Sequence, residues 1–214
     1  MEKDQQLKWF EDYKFIATIK TGSAEDAESM IKAALAGGIR IFEISLNTPQ
    51  ANRLIQNFSK KDNCLFGATT VIDGEMAQRA INAGAAFLSN TYTDKEVVTV
   101  ARNNDNFVIQ GALTPTEAVN AYNLGVDLVS IYPADQVGGP EYLKSLRSNL
   151  PFLKLVAEGG ISQDNAFEYL KACVAVNVSN SLFDRSIIRS DNWNEITERA
   201  KFFTQKLEAL KVTK

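Results

Sequence analysis

Glu43, Ser89 and Ser130 each stand five residues after a glycine, in Gly38-Ile-Arg-Ile-Phe-Glu43, Gly84-Ala-Ala-Phe-Leu-Ser89 and Gly125-Val-Asp-Leu-Val-Ser130. The glycine closes a helical stretch and a short apolar run leads to the polar residue. A carboxylate in such a place can move a proton or hold a cation, and the hydroxyls can orient a ligand. The chain has no histidine. That excludes Ser-His-Asp and Cys-His machinery, histidine-ligated zinc and the commonest general acid–base group. Catalysis here falls to carboxylates, lysine, tyrosine, hydroxyls, backbone dipoles or a metal held by oxygens.

The elements that must position these residues follow from the same repeat. A glycine takes the left-handed C-cap conformation readily, so each motif reads as a helix handing over to a buried strand. Recurrence at intervals of about 40 residues marks a βα-repeat fold, which keeps its chemistry at the carboxyl ends of its strands. Short, almost wholly apolar runs predict parallel strands over 15–19, 41–45, 65–68, 87–89, 107–110, 128–131, 153–157 and 174–178. Helices are expected over 24–36, 49–58, 75–83, 94–103, 115–124, 141–146, 164–172 and 192–210. Ser23 and Thr114 read as N-caps, and Pro49 and Pro115 as first helical residues. Residues 1–14, with Leu7, Trp9 and Phe10, form an extra helix closing the amino-terminal end. The expected architecture is α/β: a single (β/α)8 TIM barrel spanning residues 1–214, with no linker and no second domain.

Composition narrows the function classes. A hydrophobic content of 45% suffices for a core, and a net charge of −3 gives no footprint for nucleic acid. No run of about 18 apolar residues suggests a membrane span, and the first ten residues lack the apolar core of a signal peptide. Cys64 and Cys173 stand alone, which suits a reduced cytoplasm.

Six stretches extend the reading: Ala36-Gly-Gly-Ile-Arg-Ile-Phe-Glu-Ile-Ser-Leu46, Gly67-Ala-Thr-Thr-Val71, Ala83-Gly-Ala-Ala-Phe87, Gly111-Ala-Leu-Thr-Pro-Thr-Glu117, Tyr132-Pro-Ala134 and Glu158-Gly-Gly-Ile161. In this order and spacing the chain, over roughly residues 15–210, resembles the 2-keto-3-deoxy-6-phosphogluconate (KDPG) and 4-hydroxy-2-oxoglutarate (KHG) aldolases. The resemblance implies a carbon–carbon lyase acting on a small 2-oxo acid or keto-deoxy sugar acid, with no cofactor, as a homotrimer. The family's Schiff-base lysine stands three residues before the Pro of the Tyr-Pro-Ala turn, and here that residue is Ser130. A hydroxyl forms no iminium with a ketone, and losing a covalent nucleophile costs on the order of 10⁴ to 10⁶ in rate.

Other departures gather at the same mouth. Asn47 replaces the arginine that binds the substrate carboxylate, and Gln110-Gly111 replaces a Pro-Gly. Ala157-Glu158 replaces a Pro-Thr before Gly159-Gly160, and the glycine-rich phosphate turn reads Ser179-Asn180-Ser181. A carboxylate at Glu158 would repel a phosphate dianion. Glu43 keeps the place of the family's proton-transfer carboxylate; the alternative is a structural ion pair with Arg40 or Lys20. Lys20 ends the first strand, free to bind an anion, to stand in for the lost lysine or to be a plain surface lysine. Thr70 is expected to line the pocket, with Thr69 as filling. Glu43 and Glu158 together could hold Mg²⁺ or Mn²⁺ as an alternative electron sink.

Three readings stand open. One is a lyase whose chemistry has moved to Glu43, Lys20 or a metal. Another is an inactive barrel that binds a small anionic ligand. The third is a different barrel enzyme, such as a phosphosugar epimerase, sharing only the fold.

Overall fold

The computed structural model describes residues 2–212. Eight parallel strands close into a barrel in chain order: β1 (Phe15–Ile19), β2 (Ile41–Ser45), β3 (Leu65–Thr69), β4 (Phe87–Ser89), β5 (Phe107–Ala112), β6 (Leu128–Ile131), β7 (Leu155–Ala157) and β8 (Ala175–Asn177). β8 pairs back on β1 through Phe15↔Val176 and Ile16↔Asn177. The helices are α1 (Lys3–Tyr13), α2 (Ala24–Ala36), α3 (Ala51–Phe58), α4 (Gly74–Asn82), α5 (Lys95–Asn103), α6 (Pro115–Leu124), α7 (Gly139–Asn149), α8 (Ala166–Tyr169), α9 (Ser179–Leu182), α10 (Arg185–Arg189) and α11 (Trp193–Val212).

The barrel interior is layered by the two-residue period of the strands. Ile16, Ile41, Leu65, Phe87, Ile109, Leu128, Val156 and Ala175 form an apolar floor together with Phe10 and Phe107. Two residues further along each strand stand Thr18, Glu43, Gly67, Ser89, Gly111, Ser130, Glu158 and Asn177, every one polar or glycine. The remaining strand residues, such as Ala17, Phe42 and Ile44, face outward into the core between barrel and helices. Gly67 makes room within the polar layer: a Cβ there would lie 2.6 Å from the Phe87 ring.

At the opposite end, α1 lies across the floor. Phe10 is fully buried and meets the rings of Phe87 and Phe107 at 5.3 and 5.2 Å between centroids. Lys3 pairs with Asp127 at 2.9 Å, and Gln6 Nε2 donates to the Ala86 carbonyl.

The outer helices begin where their caps dictate. Ser23 accepts from the Asp26 N–H, and Thr114 forms a complete capping box with Glu117, followed by Pro115. Pro49 is a correction: α3 begins two residues later, after Gln50 turns left-handed at φ 58°, so the proline lies in the preceding turn. The helix after β7 is a single turn, and two short helices, α9 and α10, precede α11. The first lies inside the helix expected over 164–172, whereas apolar periodicity carries too little signal over four or five residues to reveal α9 and α10. Gln110 also has a local reason. Its fully buried side chain accepts from the Asp94 N–H at 2.9 Å, at the start of α5.

Candidate active site at the carboxyl ends of the strands

The polar layer forms two connected groups. In the first, Glu43 sits 4% exposed in the middle of β2. Thr18 Oγ1 donates to its Oε1 at 2.7 Å, Asn177 Nδ2 donates to the same oxygen at 3.0 Å, and Ser89 Oγ donates to Oε2 at 2.5 Å. Asn177 Nδ2 also reaches Thr18 Oγ1 at 2.7 Å. Burial pushes the Glu43 pKa up, while the bonds from Ser89, Thr18 and Asn177 pull against that rise. Arg40 is engaged elsewhere, donating to the Leu35 and Ile39 carbonyls. Neither it nor Lys20 pairs with Glu43, so the expected alternative of a structural ion pair is not what the fold builds.

The second group links β6 to the residue just after β7. Ser130, 2% exposed, donates from Oγ to Glu158 Oε2 at 3.3 Å. Burial, joined by the nearby Glu43 charge, pushes the Glu158 pKa up to about 8. This corrects the expectation of a repelling anion. At neutral pH Glu158 is largely a neutral carboxylic acid, able to donate a hydrogen bond.

Above these groups opens a cavity of 790 Å³. Lys20, Asn47, Thr69, Thr70, Glu158, Gly159, Gly160, Ser179 and Asn180 line it. Thr70 holds a left-handed backbone at φ 62°, and its hydroxyl lies 3.0 Å from Ser45 Oγ. Glu43, Ser130 and Ser181 do not line the cavity. Glu43 communicates with it only through Thr18 and Asn177, which do. The Ser179–Ser181 turn is the start of α9 rather than an open anion cradle. Ser179 Oγ accepts from the Thr18 N–H at 2.5 Å and donates to Asn177 Oδ1, and Ser181 Oγ donates to the Ile161 carbonyl at 2.6 Å.

The sequence reading missed Thr18 and Asn177 and left Ser89 without a partner. The signal lay in the two-residue step beyond each apolar floor position. No three His, Cys, Asp or Glu residues gather as a metal site among the described residues. Glu43 also has both carboxyl oxygens occupied by donors, leaving Glu158 as a single free carboxyl ligand.

Comparison with known proteins bears on what this arrangement is. The family model described as KDPG and KHG aldolase matches residues 7–199. The chain is 30% identical over 161 residues to the 2-dehydro-3-deoxy-phosphogluconate aldolase of Treponema pallidum, covering 75% of this chain and 77% of the relative. It is 31% identical over 157 residues to a probable 2-dehydro-3-deoxy-6-phosphogalactonate aldolase of Rhizobium meliloti, covering 72% and 74%. Among solved structures, the KDPG aldolase of Legionella pneumophila, with pyruvate captured as a covalent carbinolamine, superposes with a TM-score of 0.81 at 27% identity. That match covers 92% of this chain and 97% of the other. The strand-end motifs, the closed barrel and these matches agree: the chain belongs to the KDPG and KHG aldolase family.

Proposed function

We propose that this protein is an aldolase-type lyase that cleaves a small 4-hydroxy-2-oxo acid by acid–base enolisation, without a Schiff base on β6. The observation that carries the reading is the Ser130–Glu158 pair at the cavity. Buried Ser130 stands three residues before Pro133, where the resemblance to the family expects its lysine, and beside it Glu158 lines the cavity. A neutral acid in a water-poor site can stabilise an enolate as a hydrogen-bond donor and then as a proton donor. Thr18 supplies the other path, with its hydroxyl on the cavity and Glu43 directly behind it.

The step balances with these groups alone. The C4 hydroxyl proton of the substrate passes through Thr18 Oγ1 to Glu43 as the C3–C4 bond breaks. The bonding pair becomes the enol double bond, and Glu158 protonates the former keto oxygen. The aldehyde leaves. Ketonisation then returns the oxygen's proton to Glu158 and delivers the proton held on Glu43 to C3. Asn47 and Thr70 provide donors for the substrate carboxylate, and Lys20 provides a cation on the same wall. In this reading the protein acts in the cytoplasm as one domain over residues 1–214 and assembles as a homotrimer. Exposed Tyr92, Leu113 and Tyr132 share a 380 Å³ cleft beside the mouth, which supports that assembly.

The test combines turnover with trapping. Wild-type protein is incubated with 4-hydroxy-2-oxoglutarate and assayed for pyruvate release. In parallel it is incubated with pyruvate and borohydride, and its intact mass is measured beside a Ser130→Lys variant. Pyruvate release with no adduct on the wild type, and an adduct on the variant, is the expected result. An adduct on the wild type would assign a Schiff base to another lysine, Lys20 first. Absence of turnover across 4-hydroxy-2-oxo acids would leave an inactive anion-binding barrel.

A further inference from the structure

One strand end on the cavity holds a strained threonine, and what supports it plays no part in the proposed proton transfers. Thr70 directly follows β3 and has a left-handed backbone at φ 62°. For a β-branched residue that region is a genuine outlier, kept only where the surrounding structure enforces it. The chain is an ordinary strand before it, and Val71 after it is fully buried. Thr70 nevertheless lines the cavity, with its hydroxyl 3.0 Å from Ser45 Oγ. Ser45 Oγ accepts from the Asn47 N–H at 3.4 Å and can donate to Thr70, which leaves the threonine's own proton for a ligand.

Asn90, the residue after β4, enforces this conformation. Its Oδ1 accepts from the Val71 N–H at 2.8 Å, and its Nδ2 donates to the Val71 carbonyl at 2.6 Å. One side chain thus holds both backbone groups of the residue that follows Thr70. The pairing of β3 with β4 stops at Thr69↔Ser89, and the carboxamide takes the place of a further peptide group. Asn90 is itself anchored, because its N–H donates to the Ile109 carbonyl of β5. It is 2% exposed and does not line the cavity. A donor and an acceptor at this reach are what asparagine supplies; aspartate lacks the donor, and glutamine is longer by a methylene.

We propose that Asn90 is a positioning residue: by clamping Val71 from β4 it holds Thr70 in its left-handed turn and aims the Thr70 hydroxyl into the cavity. Asn90 touches no ligand and acts only through that threonine. The inference deepens the proposed function and rests on it solely for the use of the hydroxyl by a substrate carboxylate.

A double-mutant cycle on the full-length protein tests this, with pyruvate as the calorimetric probe. Thr70→Val removes the hydroxyl and should weaken pyruvate roughly tenfold, the worth of one hydrogen bond to a charged group. Asn90→Ala should weaken it by a similar factor, because the hydroxyl is misplaced. The double variant should bind within about twofold of Thr70→Val alone, since a hydroxyl already absent cannot be misplaced. Asn90→Asp keeps the acceptor for the Val71 N–H and should fall between wild type and Asn90→Ala; it carries the same cycle if the alanine variant does not fold. Unchanged affinity in the Asn90 variants, or losses that multiply in the double variant, would overturn the inference. Crystal structures of the Asn90 variants give a readout that needs no ligand, and Thr70 should leave the left-handed region there. A Thr70 still at positive φ would overturn the clamp whatever the binding result. A wild type that neither binds pyruvate nor turns over, with Thr70 displaced in the variants, would keep the clamp and remove the proposed function.

Discussion

Glu158 is the residue on which the chemistry and the pH behaviour of this protein turn together. Its carboxyl ordinarily titrates near 4.5, and in the fold it holds its proton to about pH 8. Folding therefore retains a proton between those two values. The contribution to stability is fully present below the lower one and is lost as pH rises through the window, by up to about 1.4 kcal/mol per pH unit. Glu43, raised by burial, acts in the same direction. The melting temperature of the wild type should fall between pH 5 and pH 8, and Glu158→Gln should flatten that fall and be the more stable protein at pH 8. Differential scanning calorimetry at several pH values checks this; a profile unchanged by the substitution would place the pH dependence elsewhere. The same variant keeps a hydrogen-bond donor but no transferable proton, so kcat should drop by about 10² to 10⁴. The wild-type rate should decline on an alkaline limb near pH 8 as the acid form is lost.

The elements explain why these residues meet. Each strand carries an apolar residue at the floor and a polar or glycine residue two places on, so one alternation builds both the core and the site. α1 completes the floor through Phe10, whose burial between two aromatic rings is continuous with the interior packing. Phe10→Ala should cost about 3–5 kcal/mol, read as a shift in the denaturation midpoint at unchanged m-value. A much smaller cost would mean that α1 rests on the barrel without sealing it. On the outer ring, Thr114→Ala removes the capping box of α6 and should cost about 1 kcal/mol without changing ligand binding. Several of these elements were legible beforehand: β1, β2, β4 and β6, α2 and α6, and the two caps followed from apolar runs and capping chemistry. α8 falls within the helix expected over 164–172 but forms only a single turn, and α9 and α10 were not legible, because a turn or so of helix is set by what it packs against. The start of α3 was misplaced for a related reason, since Gln50 adopts a left-handed backbone that proline chemistry does not announce.

At the scale of the whole molecule, no helix among the described residues is long and apolar enough to cross a membrane. Burial pushes the Cys173 thiol up to about 12 and raises Cys64 as well, so neither thiol is activated as a nucleophile. Chemistry is thereby left to the barrel mouth. The homotrimer of the proposed function should give about three times the 23.6 kDa chain mass by sedimentation equilibrium. Tyr92→Glu with Leu113→Glu should dissociate it if the cleft beside the mouth is buried between copies. A wild type sedimenting as a monomer would reject the assembly.

The sequence by itself determined the architecture and the side chain at position 130. Apolar runs of strand length set between glycine-closed helices admit few solutions other than a βα barrel, and Ser130 stands three residues before Pro133, where the resemblance expects a lysine, whatever the fold does around it. Glu43 and Glu158 were also visible as candidates, because a carboxylate within or just after an apolar strand run is unusual. Only the tertiary structure decided how they work. Thr18, Ser89 and Asn177 reach Glu43 from positions 25, 46 and 134 residues away, and no local pattern encodes which other strands of the barrel supply a donor. The protonation of Glu158 is likewise a property of closure: burial and the field of Glu43 exist only once β2 and β7 face one interior. Charge and spacing are written along the chain, whereas desolvation and proximity appear when the barrel closes.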